Sequence, residues 1–182
     1  VIDCRGTGAK EPWSSGEISN TLRGVRGEVV RLHAPEVKLR RPTRLIHPRY
    51  PIYIAPKEND VYVVGATEIE SDDLSEMSVR SAMELLSAVY TVHSGFAEAR
   101  ILEMATQCRP TLKNNLPEIH FRKDKGLADL IMINGLYRHG FMIAPAVLDC
   151  ALQVLEQGSS KTALELGLSV TQGNHRVEAV CA

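Results

Sequence analysis

The stretch "LADLIMINGLYRHGFMIAPAVLDCALQVLEQG" (residues 127–158) decides how this chain is read, because its apolar periodicity changes along its length. The run through residues 127–135 reads as a buried strand, and residues 142–158 read as a helix with Pro145 tolerable in the first turn and Gly158 at its end. Between them, "NGLYRHGFMIAP" (134–145) sets Arg138 and His139 between Gly135 and Gly140. A helix beginning near Met142 leaves the backbone N–H groups of Gly140 to Ile143 without intrahelical acceptors, which makes an end that favours anions. The glycines allow close approach of a ligand to the backbone. The loop therefore suits a negatively polarised partner, although local pattern alone also accommodates a solvated arginine between turn glycines.

Working outward, "QCRPTLKNNLP" (107–117) carries a second arginine, Arg109, ahead of a proline that fixes a turn. A guanidinium grips a carboxylate through two parallel hydrogen bonds and stays protonated when desolvated, but a surface arginine would fit the same spacing. The segment 96–110 is expected to run from a short helix into a strand that Pro110 stops. "VRSAMELLSAVYTVHSG" (79–95) reads as a helix capped by Ser75 or Ser78 and ended at Gly95, with Val79, Ala82, Met83, Leu86, Val89 and Tyr90 on its apolar face. Further upstream, "IYIAP" (52–56), "KEND" (57–60) and "VYVVGATE" (61–68) compose a hairpin with a four-residue loop. That register opposes Ala55 to Tyr62 and Tyr53 to Val64, and puts Tyr53, Tyr62, Val64, Ala66 and Glu68 on one face. "GEVVRLHA" (27–34) reads as a strand, the proline-broken 41–51 as an edge or crossover, and 10–21 as a loop. The opening "VIDCRGTGAK" reads as a buried strand entered midway and running into a glycine turn, so residues are expected upstream of Val1.

The 182 residues suffice for one domain with a core or for two small ones, and 44% hydrophobic with 24% charged residues is an ordinary globular balance. A net charge of −1 gives no general attraction to nucleic acid or acidic lipid, so an anion must be held locally. Cys4, Cys108, Cys150 and Cys181 form no CxxC pair and read as free thiols in a reducing compartment. The six histidines lack metal-ligand spacing, and no serine nucleophile elbow occurs. Glu68, Glu70, Asp72 and Asp73 read as a solvated acidic turn before a helix. With no apolar stretch near the roughly 20 residues that span a bilayer, the expected location is cytoplasmic.

Five blocks in order, "VIDCRGTGA" (1–9), "LRGVRGEV" (22–29), "YIAPKENDVYVVGATE" (53–68), "CRPTLKNNLPEI" (108–119) and "NGLYRHGFMIAPAVLDCAL" (134–152), resemble the C-terminal half of the FAD-dependent glycine oxidases of thiamine biosynthesis, in the D-amino-acid oxidase and sarcosine oxidase superfamily. The resemblance covers residues 1 to about 168. It implies an α+β fold: a mixed, largely antiparallel substrate-domain sheet with flanking helices, plus the C-terminal part of a Rossmann-like FAD-binding domain. The implied organisation is 1–22 in the FAD-binding domain, 23–110 as substrate domain, 111–168 returning to the FAD-binding domain, and 169–182 as a tail.

The resemblance further implies FAD as cofactor and oxidative deamination of a small amino acid, glycine first, with peroxide formation. A sarcosine or D-amino-acid oxidase, or a non-catalytic module, is the competing reading. By the resemblance Arg109 binds the substrate carboxylate, Arg138 contacts substrate and flavin, Tyr53 is the active-site tyrosine and Glu68 lines the site. Leu136, Tyr137, Arg138, His139, Gly140, Phe141 and Met142 form the flavin loop, and Gly6 and Gly8 pass near the dinucleotide. The GxGxxG fingerprint with its acidic partner is absent, and "GTGAKE" (6–11) is a near-match in the wrong place. The expected partners are a small amino acid and either an N-terminal half or a second copy of the chain.

Overall fold

The computed structural model describes residues 1–11, 21–47, 51–122, 129–172 and 175–177. In chain order the strands are β1 (Ile2–Asp3), β2 (Arg23–His33), β3 (Thr43–Leu45), β4 (Ile52–Pro56), β5 (Val61–Gly65), β6 (Arg100–Thr111), β7 (Glu118–Arg122), β8 (Leu130–Asn134), β9 (Ser169–Gln172) and β10 (His175–Val177). The α-helices are α1 (Val79–Val92), α2 (Gly140–Gln157) and α3 (Lys161–Glu165). Most of the loop expected at 10–21 lies outside the described residues. The chain divides into two compact units, one of residues 1–25 with 109–182 and one of residues 26–108.

The first unit holds a mixed sheet in the order β1-β8-β7-β9-β10. Strand β8 pairs in parallel with β1 and antiparallel with β7, and β7 pairs in parallel with β9. Residues 169–172, expected to be tail, are thus a sheet strand. Alternation sends the cross-strand pairs Ile119↔Ile133 and Phe121↔Ile131 to one face. There they pack with Val147, Cys150, Ala151 and Val154 of α2, whose spacing is that of one helical stripe. Full burial of each such aliphatic side chain contributes about 2 kcal/mol. The opposite face carries Met132, which clusters with Ala9, Leu22 and Leu112. Among the described residues β1 is the sheet's edge strand, with Ile2 55% accessible. Helix α2 ends where expected, at Gly158 with φ of 76°.

The second unit contains most of a sheet in the order β3-β4-β5-β2-β6, with β3 on the edge as the prolines suggested. Val30, Leu32, Ile52, Ile54, Tyr62 and Val64 cover one face and pack with Leu85, Ala88, Val89 and Phe96. The hairpin register departs from expectation by one residue: Tyr53 opposes Gly65 and Ala55 opposes Val63. The cause is the turn. Asn59 and Asp60 both take left-handed backbone, with φ of 57° and 55°. Lys57 N–H donates to the Val61 carbonyl at 2.7 Å, so the loop is the three residues 58–60. A one-residue slip exchanges faces. Tyr62 and Val64 accordingly point into the core, away from Tyr53.

Helix α1 also turns a different face inward. Ser81, Leu85, Ala88 and Val89 are buried, whereas Val79, Met83 and Tyr90 are exposed. Ser78 caps the helix, its hydroxyl accepting from Ser81 N–H at 3.1 Å. The helix stops before Gly95, at His93, and a 3-10 turn spans Ser94–Glu98. Strand β6 runs through Pro110 to Thr111; as an edge strand it tolerates the missing donor. No described helix is long and apolar enough to cross a membrane.

Candidate functional site

Three separated segments of the first unit meet at Pro110. Tyr137 N–H donates to the Pro110 carbonyl at 3.2 Å, joining the loop that carries Arg138 to the segment that carries Arg109. From the other side, a Cβ placed on Gly6 would stand 3.4 Å from Pro110 Cγ, and Gly6 has φ of +60°. Asn134 ties the third edge: its buried side chain donates from Nδ2 to the Gly6 carbonyl at 2.9 Å and accepts at Oδ1 from Gly135 N–H. The glycine turn, the Arg-Pro segment and the end of β8 are therefore held together by backbone and amide contacts. Gly8 is not part of that close approach, since a Cβ there meets only Arg5 Cβ at 3.6 Å.

The loop from Gly135 to His139 is conformationally constrained. Gly135 has φ of +80°, and a Cβ there would lie 2.6 Å from Leu112 Cδ1, so any larger residue is strained and forces Leu112 to shift. Tyr137 takes left-handed backbone at φ 49° without being glycine, a cost of about 1 kcal/mol that persists because Leu136, Pro110 and the start of α2 fix its neighbours. Helix α2 begins at Gly140, two residues before the expected Met142, so Pro145 falls in its second turn. Met142 and Ile143 N–H both donate to the His139 carbonyl, at 2.9 and 3.0 Å. The anion-favouring donors are thus Gly140 and Phe141, which make no backbone hydrogen bond among the described residues, rather than all four from Gly140 to Ile143.

Arg109 is half-buried, while Arg138 and His139 are exposed beside the helix start. Leu136 packs onto the α2 core, but Phe141 and Met142 are exposed, at 103% and 74%. These fit a flavin in chemistry: the two helix-start amides, with the exposed Arg138 two residues before them, would complement the pyrimidine end of an isoalloxazine ring, which gathers negative charge on reduction. Gly135 and Gly140 remove side-chain bulk there.

Tyr53 and Glu68 belong to the second unit. The Tyr53 ring lies across Gly65, where a Cβ would come within 3.0 Å of its hydroxyl, and it is 44% exposed on the sheet face opposite the core. Strand β5 ends at Gly65, so alternation does not carry Glu68 onto the Tyr53 face; Glu68 is exposed in the segment beyond it.

The sequence reading passed over a buried charge network in the same unit. Glu28 is wholly buried, and Arg26 donates to its Oε1 from Nη2 at 2.7 Å and from Nε at 3.1 Å. Arg26 also donates to the carbonyls of Asp73 and Glu76, both at 2.8 Å, and pairs with the Asp73 carboxylate at 3.3 Å. The acidic turn is therefore an anchor as well as a solvated one. Burial pushes the Glu28 carboxyl up, but hydrogen bonds from Ser81, Arg26 and Thr67 and the Arg26 charge outweigh it and hold it below its ordinary value. Its i, i+2 spacing in "VRGEVV" was the available signal, since alternation places both residues on one face. Asn134, next to the glycine of the opening stretch, was the other. Cys4, Cys108 and Cys150 are free thiols; Cys181 lies outside the described residues.

A protein-family model described as FAD dependent oxidoreductase matches residues 1–148. The chain is 47% identical over 147 residues to a protein named as the thiamine biosynthesis oxidoreductase ThiO of Rhizobium etli, covering 81% of this chain and 42% of that protein. It is 27% identical over 140 residues to a D-amino acid oxidase of Dugesia ryukyuensis, covering 77% of this chain and 39% of that one. Among solved structures, a glycine oxidase from Bacillus cereus superposes with a TM-score of 0.73 at 22% identity, over 88% of this chain and 43% of that one. The chain spans less than half the length of these relatives.

Proposed function

On the premise that this chain belongs to the FAD-dependent oxidoreductase family, we propose that it forms part of an amino-acid oxidase whose first-choice substrate is glycine. The observation that carries this is the junction at Pro110, where Tyr137 N–H and Gly6 bring the Arg109 segment, the Arg138 loop and the glycine turn together. A bound FAD supplies the acceptor for the α-hydrogen as hydride, and dioxygen finally takes the two electrons as peroxide. The amino acid also gives up a proton from nitrogen and becomes the imine, a product suited to thiamine thiazole synthesis.

The protein's part is orientation and charge placement. Arg109 clamps the carboxylate through a bidentate pair, which turns the α-carbon toward a fixed position and removes rotational freedom before reaction. Arg138 and the amides of Gly140 and Phe141 present positive potential where charge accumulates. Gly6 admits the dinucleotide close to the backbone. In this reading residues 1–25 and 109–168 hold cofactor and carboxylate, and Tyr53 and Glu68 keep the roles of active-site tyrosine and lining residue that the resemblance implies.

A peroxide assay across glycine, sarcosine and D-alanine, run on yellow, flavin-loaded protein, tests the substrate. Fastest turnover with glycine supports the proposal. Preference for D-alanine would move the assignment to the D-amino-acid class, which the Dugesia ryukyuensis relative represents. Protein that binds no flavin when supplied with it would favour a non-catalytic module.

A further inference from the structure

A second charged concavity lies within residues 31–62 of the second unit. The segment after β2 and the tip of the β4-β5 hairpin line an open groove of about 980 Å³. Four cations line it, Arg31, Lys38, Arg40 and Lys57, against two carboxylates, Glu58 and Asp60. Two of the cations are spoken for: Lys38 pairs with Asp60 at 3.4 Å, and Arg31 pairs with Glu103 at 3.3 Å. Arg40 and Lys57 have no ion pair among the described residues, and neither does the lining carboxylate Glu58, so the groove with Glu103 counted carries a surplus of one positive charge in a chain whose net charge is −1.

Its walls are fixed before any ligand arrives. Tyr62, on the floor, donates its hydroxyl to the Val37 carbonyl at 2.6 Å and stacks edge-on against Phe96. Ala34 N–H donates to the Asp60 carbonyl at 3.0 Å, tying the strap to the hairpin turn. The left-handed Asn59 and Asp60 set that turn rigidly. A concavity whose backbone is tied in this way, with Arg40 on one lining segment and Lys57 on the other, suits a compact anion, because little backbone ordering cost opposes binding.

We propose that this groove binds a small phosphorylated molecule, with Arg40 and Lys57 gripping its phosphate oxygens from the two walls. The fork of Arg40 allows bidentate contact and Lys57 adds a point charge. The test is calorimetric titration of inorganic pyrophosphate into the chain at matched ionic strength, repeated with the double variant Arg40→Ala, Lys57→Ala. The expected result is saturable binding with Kd below about 1 mM, weakened at least about tenfold in the variant, whose melting temperature and flavin content match the parent's. No saturable binding, or equal affinity in the variant, would overturn the proposal. Binding to phosphatidylglycerol vesicles or to a polyglutamate peptide in place of pyrophosphate would overturn the small-molecule assignment.

Discussion

The two units use arginine in opposite ways. In the second, Arg26 is only 5% exposed and is enclosed by Glu28, two backbone carbonyls and Asp73, so its charge is consumed in holding the acidic segment 70–78 to β2. In the first, Arg138 stands exposed beside unpaired helix-start amides, and Arg109 is half-buried at a junction built from backbone contacts. One arrangement is closed and acts on the protein's own carboxylate. The other lies at a constrained loop, and in the proposed function it serves a carboxylate that the substrate brings.

That contrast is breakable, most severely at Glu28. Glu28→Ala leaves the Arg26 guanidinium buried without its main partner, and is expected to lower unfolding stability by about 4 kcal/mol in denaturant titrations. A loss under about 1 kcal/mol would mean that the pair is not structural. Gly135→Ala comes next: the left-handed φ and the approach of Leu112 Cδ1 to 2.6 Å should cost about 2 kcal/mol and impair flavin retention, read by absorbance after gel filtration. Tyr137→Gly should relieve strain and raise stability by about 1 kcal/mol while slowing turnover, which separates a loop held for function from one held for folding. The smallest effect near neutrality is acid sensitivity. Because the folded-state value of Glu28 is depressed, its contribution is fully present above the ordinary carboxylate range and is lost as pH falls through the folded value. Thermal melts should therefore drop in that acid window, and less steeply in Glu28→Gln.

Much of the architecture was legible before the structure. The strand-loop-helix of 127–158, the edge position of β3 and the cap at Ser78 follow from apolar periodicity, proline chemistry and hydroxyl capping, all local effects. What escaped depends on contacts made at a distance or on a turn's handedness. The hairpin shifted by one residue because Asn59 and Asp60 both adopt left-handed backbone, a choice that "KEND" permits without announcing. Helix α1 turned Ser81 inward because its hydroxyl accepts from the Ser78 hydroxyl at 3.0 Å and donates to the Glu28 carboxylate, which outweighed the pull of Met83 and Tyr90. Strand β6 passed Pro110 because its edge position asks for no donor there. At the candidate site, residue type raised Arg109, Arg138 and the loop glycines as candidates without deciding their roles, whereas Asn134 as the tie to Gly6 was not visible at all, since the two are 128 positions apart.

One paired measurement bears on the central claim: Arg109→Ala and Arg26→Ala compared in the flavin-loaded protein by substrate titration and thermal melting. The account predicts that Arg109→Ala raises the apparent glycine constant about 100-fold with flavin content and melting temperature close to the parent's, while Arg26→Ala lowers the melting temperature and leaves the glycine constant of the folded fraction near the parent's. Unchanged kinetics in Arg109→Ala, or a melting loss there as large as in Arg26→Ala, would contradict it.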